Sequence, residues 1–258
     1  MSLYELPSPD FYMASMGRSG STALCNWLTT MPDYVVLIEP LLFSLRNPDL
    51  LRIQFENMDM AIGDEEWEFA DSHYCSRFER LFAPRLLGRH WALKEVLSRE
   101  HERVLEVFRP PRVLVTVRDI MGIAASLFEK HRMQGNEAVY NAEWIANYCI
   151  TEADAMVTFV ERLEATGLPL HIVRYEEIIS SVAAQRAVST FLGWPSGGRT
   201  DRHFDRLNRG FEADRHGNAL NSKERSINER NLPSGDLDLI TRIAEACSTY
   251  QSTFGYTN

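Results

Sequence analysis

Cysteine is scarce and scattered. The 258 residues carry four, Cys25, Cys75, Cys149 and Cys247, with no CxxC pair and no Cys/His cluster at metal-ligand spacing. This excludes a disulfide scaffold or a zinc knuckle as the basis of the fold, and a reduced, cytoplasmic setting is expected. Positive charge is also in short supply: the formal net charge of -9 argues against a general nucleic-acid binder, which needs an excess of Lys and Arg to neutralise phosphates. Any anion site must therefore be a local basic pocket. No apolar run approaches the roughly 20 residues of a membrane span, and the N-terminus lacks a basic stretch followed by an apolar one, so neither a span nor a secretion signal is expected. Repeats and low-complexity tracts are missing too, and residues 1–258 read as one domain with a sizeable core.

One further absence is chemical. Residues 17–22 read GRSGST, between the apolar run 11–15 and a helix-like stretch beginning at Ala23. Gly17 and Gly20 permit backbone angles closed to other residues, so the amides of Ser19, Gly20, Ser21 and Thr22 can converge on an anion in front of a helix N-terminus. Arg18 adds a forked cationic donor. The nucleotidase loop G-x-x-x-x-G-K-[ST] requires a Lys directly before the hydroxyl residue, and here Ser21 or Gly20 stands in its place. A kinase or nucleotide triphosphatase is thereby disfavoured, while a plain glycine-rich turn remains the simple alternative.

Short apolar runs suited to buried strands fall at 11–15, 34–38, 90–94, 112–117 and 170–174, separated by amphipathic segments at 98–108, 119–133 and 137–165, with a closing helix at 237–250. Strands alternating with helices predict an α/β fold with a mostly parallel sheet of about five strands flanked by helices. Residues 41–84 form an irregular helical insertion rich in aromatic and acidic side chains, either an acceptor lid or a packing subdomain. Residues 195–235 turn polar, and 199–230 hold seven Arg and one Lys against six acidic residues, which suits a flexible flap over an anion or a solvated loop.

The second signal is VTVRDIMGIAASLFEK at 115–130: Arg118 ends a strand, Asp119 can cap the next helix, and Ser126 lies eight residues after Arg118. With GRSGST, this pair resembles sulfotransferases that use 3'-phosphoadenosine 5'-phosphosulfate. In that family the glycine loop binds the 5'-phosphosulfate, and an Arg at a strand end with a Ser eight residues later binds the 3'-phosphate. The resemblance runs from about residue 11 to 225 and is carried by motifs. It implies a P-loop-type parallel sheet and no required metal. HIVRYEE at 171–177 looks like the family's strand-ending segment, giving Tyr175 a cofactor contact, and NSKERS at 221–226 is similar to a late segment of tyrosylprotein sulfotransferases that brings Ser222 and Lys223 to the cofactor.

For the base, cytosolic members of the family use a His after the third strand, but residues 91–96 here read WALKEV. Glu39, after the second strand, resembles the catalytic Glu of tyrosylprotein and some bacterial sugar sulfotransferases. Glu95 is the competing base, and an ordinary strand-end acid is the alternative for Glu39. Lys94 matches the family's Lys at the end of the third strand, where it can touch the transferred group or pair with Glu39 or Glu95. Lys130, one turn after Ser126, can support the 3'-phosphate or simply be solvated. The seven histidines show no metal-ligand spacing and receive no role. The expected partner is a hydroxyl-bearing acceptor, whether sugar, peptide tyrosine, lipid-linked glycan or small alcohol. A P-loop kinase or nucleotide-binding protein, and a non-catalytic binding protein of the same fold, are the competing readings.

Overall fold

The computed structural model describes residues 8–30, 33–43, 48–58, 60–69, 78–195, 230 and 232–256. Five strands form one parallel sheet: β1 (Phe11–Ser15), β2 (Tyr34–Ile38), β3 (His90–Glu95), β4 (Val113–Val117) and β5 (Leu170–Arg174). Their order is β2-β3-β1-β4-β5, with Met13 paired to Lys94 on one side and Leu114 on the other. All five residues of β1 and β4 are buried, as expected of central parallel strands covered on both faces. Three of the strand runs match the sequence reading residue for residue; β3 extends one residue further, to Glu95, and β4 starts at Val113.

Among the described residues, eleven α-helices flank the sheet. They are α1 (Ser21–Leu28), α2 (Pro48–Asn57), α3 (Asp64–Phe69), α4 (Ala83–Leu86), α5 (Ser98–Phe108), α6 (Ile120–Met133), α7 (Ala142–Thr166), α8 (Tyr175–Ser180), α9 (Val182–Leu192), α10 (Ser234–Ala246) and α11 (Ser248–Thr253). Alternate side chains of each strand feed two cores. The smaller packs Phe11, Met13, Val36 and Leu114 against α1 and α9 through Leu24, Leu28, Val188 and Leu192. The larger packs Tyr12, Val35, Trp91 and Val115 against α5, α6, α7 and α10. Asp119 caps α6, its side chain accepting from the Met121 amide, and Asn141 caps α7 through the Trp144 amide. The long segment expected at 137–165 thus becomes a helix only from Ala142, and the closing helix is broken at Cys247 into α10 and α11.

The described part of the 41–84 insertion contributes α2, α3, a π-helical turn at Phe78–Phe82 and α4. Its aromatic residues Phe55, Phe78 and Phe82 are fully buried beside Trp91 and Phe108 in the larger core. Of the 195–235 segment, residues 196–229 and 231 lie outside the described residues.

The order of strands positions a site. β1 and β4 are neighbours, but α1 leads away from β1 toward β2, whereas α6 and α7 lead from β4 toward β5. Connections leaving in opposite directions open a crevice at the carboxyl ends of the two strands, where ligands of open α/β sheets bind.

Candidate active site

The crevice is floored by the loop after β1. Gly20 adopts φ 80° and caps α1 directly, its carbonyl accepting from the Ala23 and Leu24 amides at 3.0 and 3.3 Å, so the helix begins at the loop with its positive end toward the crevice. A side chain at Gly20 is excluded twice: its φ is left-handed, and a Cβ there would lie 2.1 Å from Cδ2 of Tyr175. Arg18 also sits in the left-handed region at φ 71°, a strained position of the kind that gathers at ligand sites. The Gly17 amide donates to the Tyr148 hydroxyl at 2.8 Å, and Ser19 and Ser15 hydroxyls meet Thr116 of β4 at 3.3 and 2.7 Å.

The two motifs read separately in the sequence meet here. Arg18 Nε donates to Ser126 Oγ at 3.0 Å, and Arg118 Nη1 donates to the Arg18 carbonyl at 3.0 Å. The Arg118 guanidinium lies 4.6 Å over the Tyr175 ring, a cation–π contact. Tyr175 opens α8 and is therefore wedged between Gly20 and Arg118. The Arg118 backbone is held by Tyr250, whose hydroxyl accepts from its amide at 3.3 Å and donates to its carbonyl at 3.0 Å. Burial and the neighbouring charges of Arg118 and Arg230 lower the Arg18 pKa to about 10, only partly opposed by Glu39 and Glu129. A desolvated guanidinium beside like charges is stabilised by an anion, and such perturbation marks functional sites.

The second half of the crevice lies toward β2 and β3. Lys94, fully buried, donates from Nζ to Glu39 Oε1 at 2.6 Å and to Thr22 Oγ1 at 3.4 Å. Burial pushes the Glu39 carboxyl up, but the Lys94 charge and hydrogen bond, with Lys130 and Arg18, outweigh it and hold the group below its usual range. About a third of the Glu39 side chain remains exposed, at 32%, so the ion pair faces the crevice. Burial and Arg18 lower the Lys130 pKa, against Glu39, so Lys130 belongs to the same cationic rim.

Glu95 points the other way. Successive residues of a strand face opposite sides, and Glu95 lies fully buried in the larger-core face, accepting from the Leu41 amide at 2.7 Å; burial and Glu100 raise its pKa well above the usual range. It does not face the loop that Lys94 and Glu39 face. Ser222 and Lys223 lie outside the described residues. Sequence reasoning missed Tyr148 and Tyr250. The signal for Tyr148 was its i,i+4 spacing from Trp144 on α7, where the rings stack with centroids 5.2 Å apart. Tyr250 left no signal, because its partner is a backbone 132 residues away. Among the described residues no group of three or more His, Cys, Asp or Glu is placed to hold a metal ion, and no helix is long and apolar enough to cross a membrane.

No family model and no curated protein matches the chain by sequence. Solved structures do match. The sulfotransferase domain from the Synechococcus PCC 7002 olefin synthase superposes with a TM-score of 0.60 over 98% of this chain and 96% of its own, at 18% identity. The chain has the sulfotransferase fold. The sulfotransferase domain from the curacin biosynthetic pathway gives 0.58 at 15% identity, covering 98% of this chain and 99% of that one. A sulfotransferase from Alicyclobacillus acidocaldarius gives 0.57 at 13%, with 97% of each chain covered. At such identities the likeness is one of fold, agreeing with the five-stranded parallel sheet expected from the strand–helix alternation.

Proposed function

We propose that the protein is a sulfotransferase that moves the sulfuryl group of 3'-phosphoadenosine 5'-phosphosulfate to a hydroxyl of an acceptor, with Glu39 as general base. The observation that carries this reading is the contact of Arg18 with both Ser126 and Arg118, which makes one pocket of two anion motifs. A donor with a phosphate at each end fits such a pocket. The desolvated Arg18 cluster and the glycine cradle fit it as well.

When bound, the donor supplies an activated sulfuryl group attached through an anhydride oxygen to the 5'-phosphate. The chain's residues hold the charges of that group and move one proton. Arg118 and Ser126 hold the 3'-phosphate, and Tyr175, locked over Gly20, borders the nucleotide. The amides of Ser19, Gly20, Ser21 and Thr22 and the guanidinium of Arg18 neutralise charge on the 5'-phosphate as it leaves; Gly17 lets the loop turn there. The helix end alone contributes roughly 0.3–1 kcal/mol, up to about 2 when partly buried, so the cationic side chains supply more. As in phosphoryl transfer, positioning and electrostatics carry most of the catalysis.

Lys94 and Glu39 divide the remaining work. Paired at 2.6 Å, they keep Glu39 ionised and ready to accept the acceptor's proton, though weakly basic. When Lys94 turns a donor toward the sulfuryl oxygens, Glu39 loses part of its partner and gains proton affinity as the acceptor oxygen attacks. The acidic composition of the 41–84 insertion suits an uncharged or cationic acceptor over a polyanion, while its aromatic residues Phe55, Phe78 and Phe82 serve the core.

The test is transfer of labelled sulfate from the donor to a panel of sugars, phenols, peptides and alcohols, with and without a chelator. Transfer that survives chelation supports the proposal. Magnesium-dependent ATP binding with no response to adenosine 3',5'-bisphosphate would favour a kinase instead.

A further inference from the structure

We propose that Gln54, Glu95 and Glu100 are positioning residues that hold Glu39 against Lys94. The inference rests on the role given to Glu39 above; it adds Gln54 and Glu100, which none of the sequence motifs contains, and gives Glu95, the competing base of the sequence reading, a different role.

β2 is an edge strand, so the outward amide and carbonyl of its last residue, Ile38, have no neighbouring strand. Gln54 of α2 takes both: Ile38 N donates to Oε1 at 2.8 Å, and Nε2 donates to the Ile38 carbonyl at 2.6 Å. A side-chain amide thus imitates one residue of a missing sixth strand. The chain then turns sharply. Glu39 has φ 49° and Leu41 φ 48°, and non-glycine residues keep such angles only where their surroundings over-determine them.

Three contacts do so. The Glu39 amide donates to the Lys94 carbonyl at 2.7 Å, the Leu41 amide to Glu95 Oε1 at 2.7 Å, and the Phe43 amide to Glu100 Oε2 at 3.1 Å. Glu95 and Glu100 are exposed by 0% and 1%. Burying two carboxyls is costly unless they make hydrogen bonds that nothing else makes. The other oxygen of each, Glu95 Oε2 and Glu100 Oε1, has no hydrogen-bond partner among the described residues. Packing alone would be served better by Leu or Met. What the two carboxyls supply is a pair of acceptors, spaced two residues apart, for the amides immediately following the base. Lys94 and Glu95 are adjacent on β3, so one strand end aims the Glu39 side chain from one face and fixes its backbone from the other.

The experiment compares Glu95→Met, Glu100→Met and Glu95→Gln in the whole chain. Each Met variant removes an acceptor; the Gln variant keeps one. Amide exchange at Leu41 and Phe43, followed by NMR, should quicken with Met at the matching position and stay slow in Glu95→Gln. In sulfuryl transfer, kcat should fall about 10²-fold for Glu95→Met and little for Glu95→Gln, while the thermal shift from adenosine 3',5'-bisphosphate is retained. In a Glu39→Gln background, Glu95→Met should cost nothing more. Unchanged exchange at Leu41, or an additive loss in that background, overturns the inference. Should Glu95→Met not fold, loss of slow exchange or of kcat in Glu95→Gln overturns it equally. If Glu39 is not the base, kcat of Glu39→Gln stays at the wild-type level while the exchange result still reads the scaffold.

Discussion

Arg18 Nε and Ser126 Oγ lie 3.0 Å apart, although 108 residues separate them in the chain. The contact joins the loop after β1 to the second turn of α6. Together with the bond from Arg118 to the Arg18 carbonyl, it links the two proposed anion sites through direct hydrogen bonds.

Adenosine 3',5'-bisphosphate should therefore stabilise the protein against heat, by about 2.7 kcal/mol at a hundredfold excess over its dissociation constant. Arg118→Ala and Ser126→Ala should each abolish most of the shift at the same ligand concentration. Adenosine 5'-monophosphate, lacking the second phosphate, should give a smaller shift in the wild type, and one that Ser126→Ala reduces less than it reduces the shift from the bisphosphate. Scanning fluorimetry decides this, and an undiminished shift in both variants would refute the assignment.

Glu39→Gln should lower kcat by about 10²- to 10⁴-fold, the usual contribution of a positioned base. Adenosine 3',5'-bisphosphate should bind to it as to the wild type, because Glu39 lies on the β2 side of the crevice. Steady-state kinetics beside calorimetric titration separates the two effects. A variant with unaltered kcat would point to the non-catalytic reading.

The pH response follows from the Lys94–Glu39 pair. Because Glu39 titrates below its ordinary range in the folded protein, its stabilising contribution is complete above the ordinary carboxylate range and is lost as pH falls through the lowered value. The acid limb of kcat/KM should accordingly lie below that range. Lys94→Met removes the strongest influence lowering the carboxyl while burial, which raises it, remains. The acid limb should then move to higher pH, with kcat reduced. A profile whose acid limb stays where it was would rule out Glu39 as the titrating base.

Gly20→Ala should lose both cofactor binding and stability. Its backbone strain costs on the order of 1–3 kcal/mol, and the new methyl collides with Tyr175. Adding Tyr175→Ala should recover part of the stability but not the affinity, since the Arg118–Tyr175 contact is gone. Thermal melts with and without ligand check both halves. Full recovery of affinity in the double variant would show that Tyr175 takes no part in the site.

Much of this was legible in the residues because it is local. Runs such as FYMAS and VLVTV are apolar but for Ser15 and Thr116, whose hydroxyls meet each other, as suits central parallel strands, and the structure buries all ten residues. The spacing of Arg118 and Ser126 placed both on one strand–cap–helix unit, and Asp119 caps it. What periodicity could not reveal was which of two adjacent acids faces the crevice. Glu95 sits beside Lys94 in sequence yet on the opposite face of the strand, and Glu39 reaches Lys94 only because its backbone turns into the left-handed region. The insertion's aromatic residues were ambiguous for a similar reason: Phe55, Phe78 and Phe82 pack with Trp91 and Phe108, partners far away in the chain.

Tyr250 grips both backbone groups of Arg118, Gln251 donates to Asp119 at 3.0 Å, and Tyr256 donates to Glu176 at 2.7 Å, the same carboxylate that accepts from the Asp119 amide. These late residues act as a keystone, which sets an order of events in synthesis. The five strands are all present once residue 174 has been made, but the groups that fix the strand end carrying Arg118 arrive only with residues 250–256, so that end should be the later of the two to set. On the proposed function, a nascent chain halted between those points should hold its strands and yet fail to bind the nucleotide.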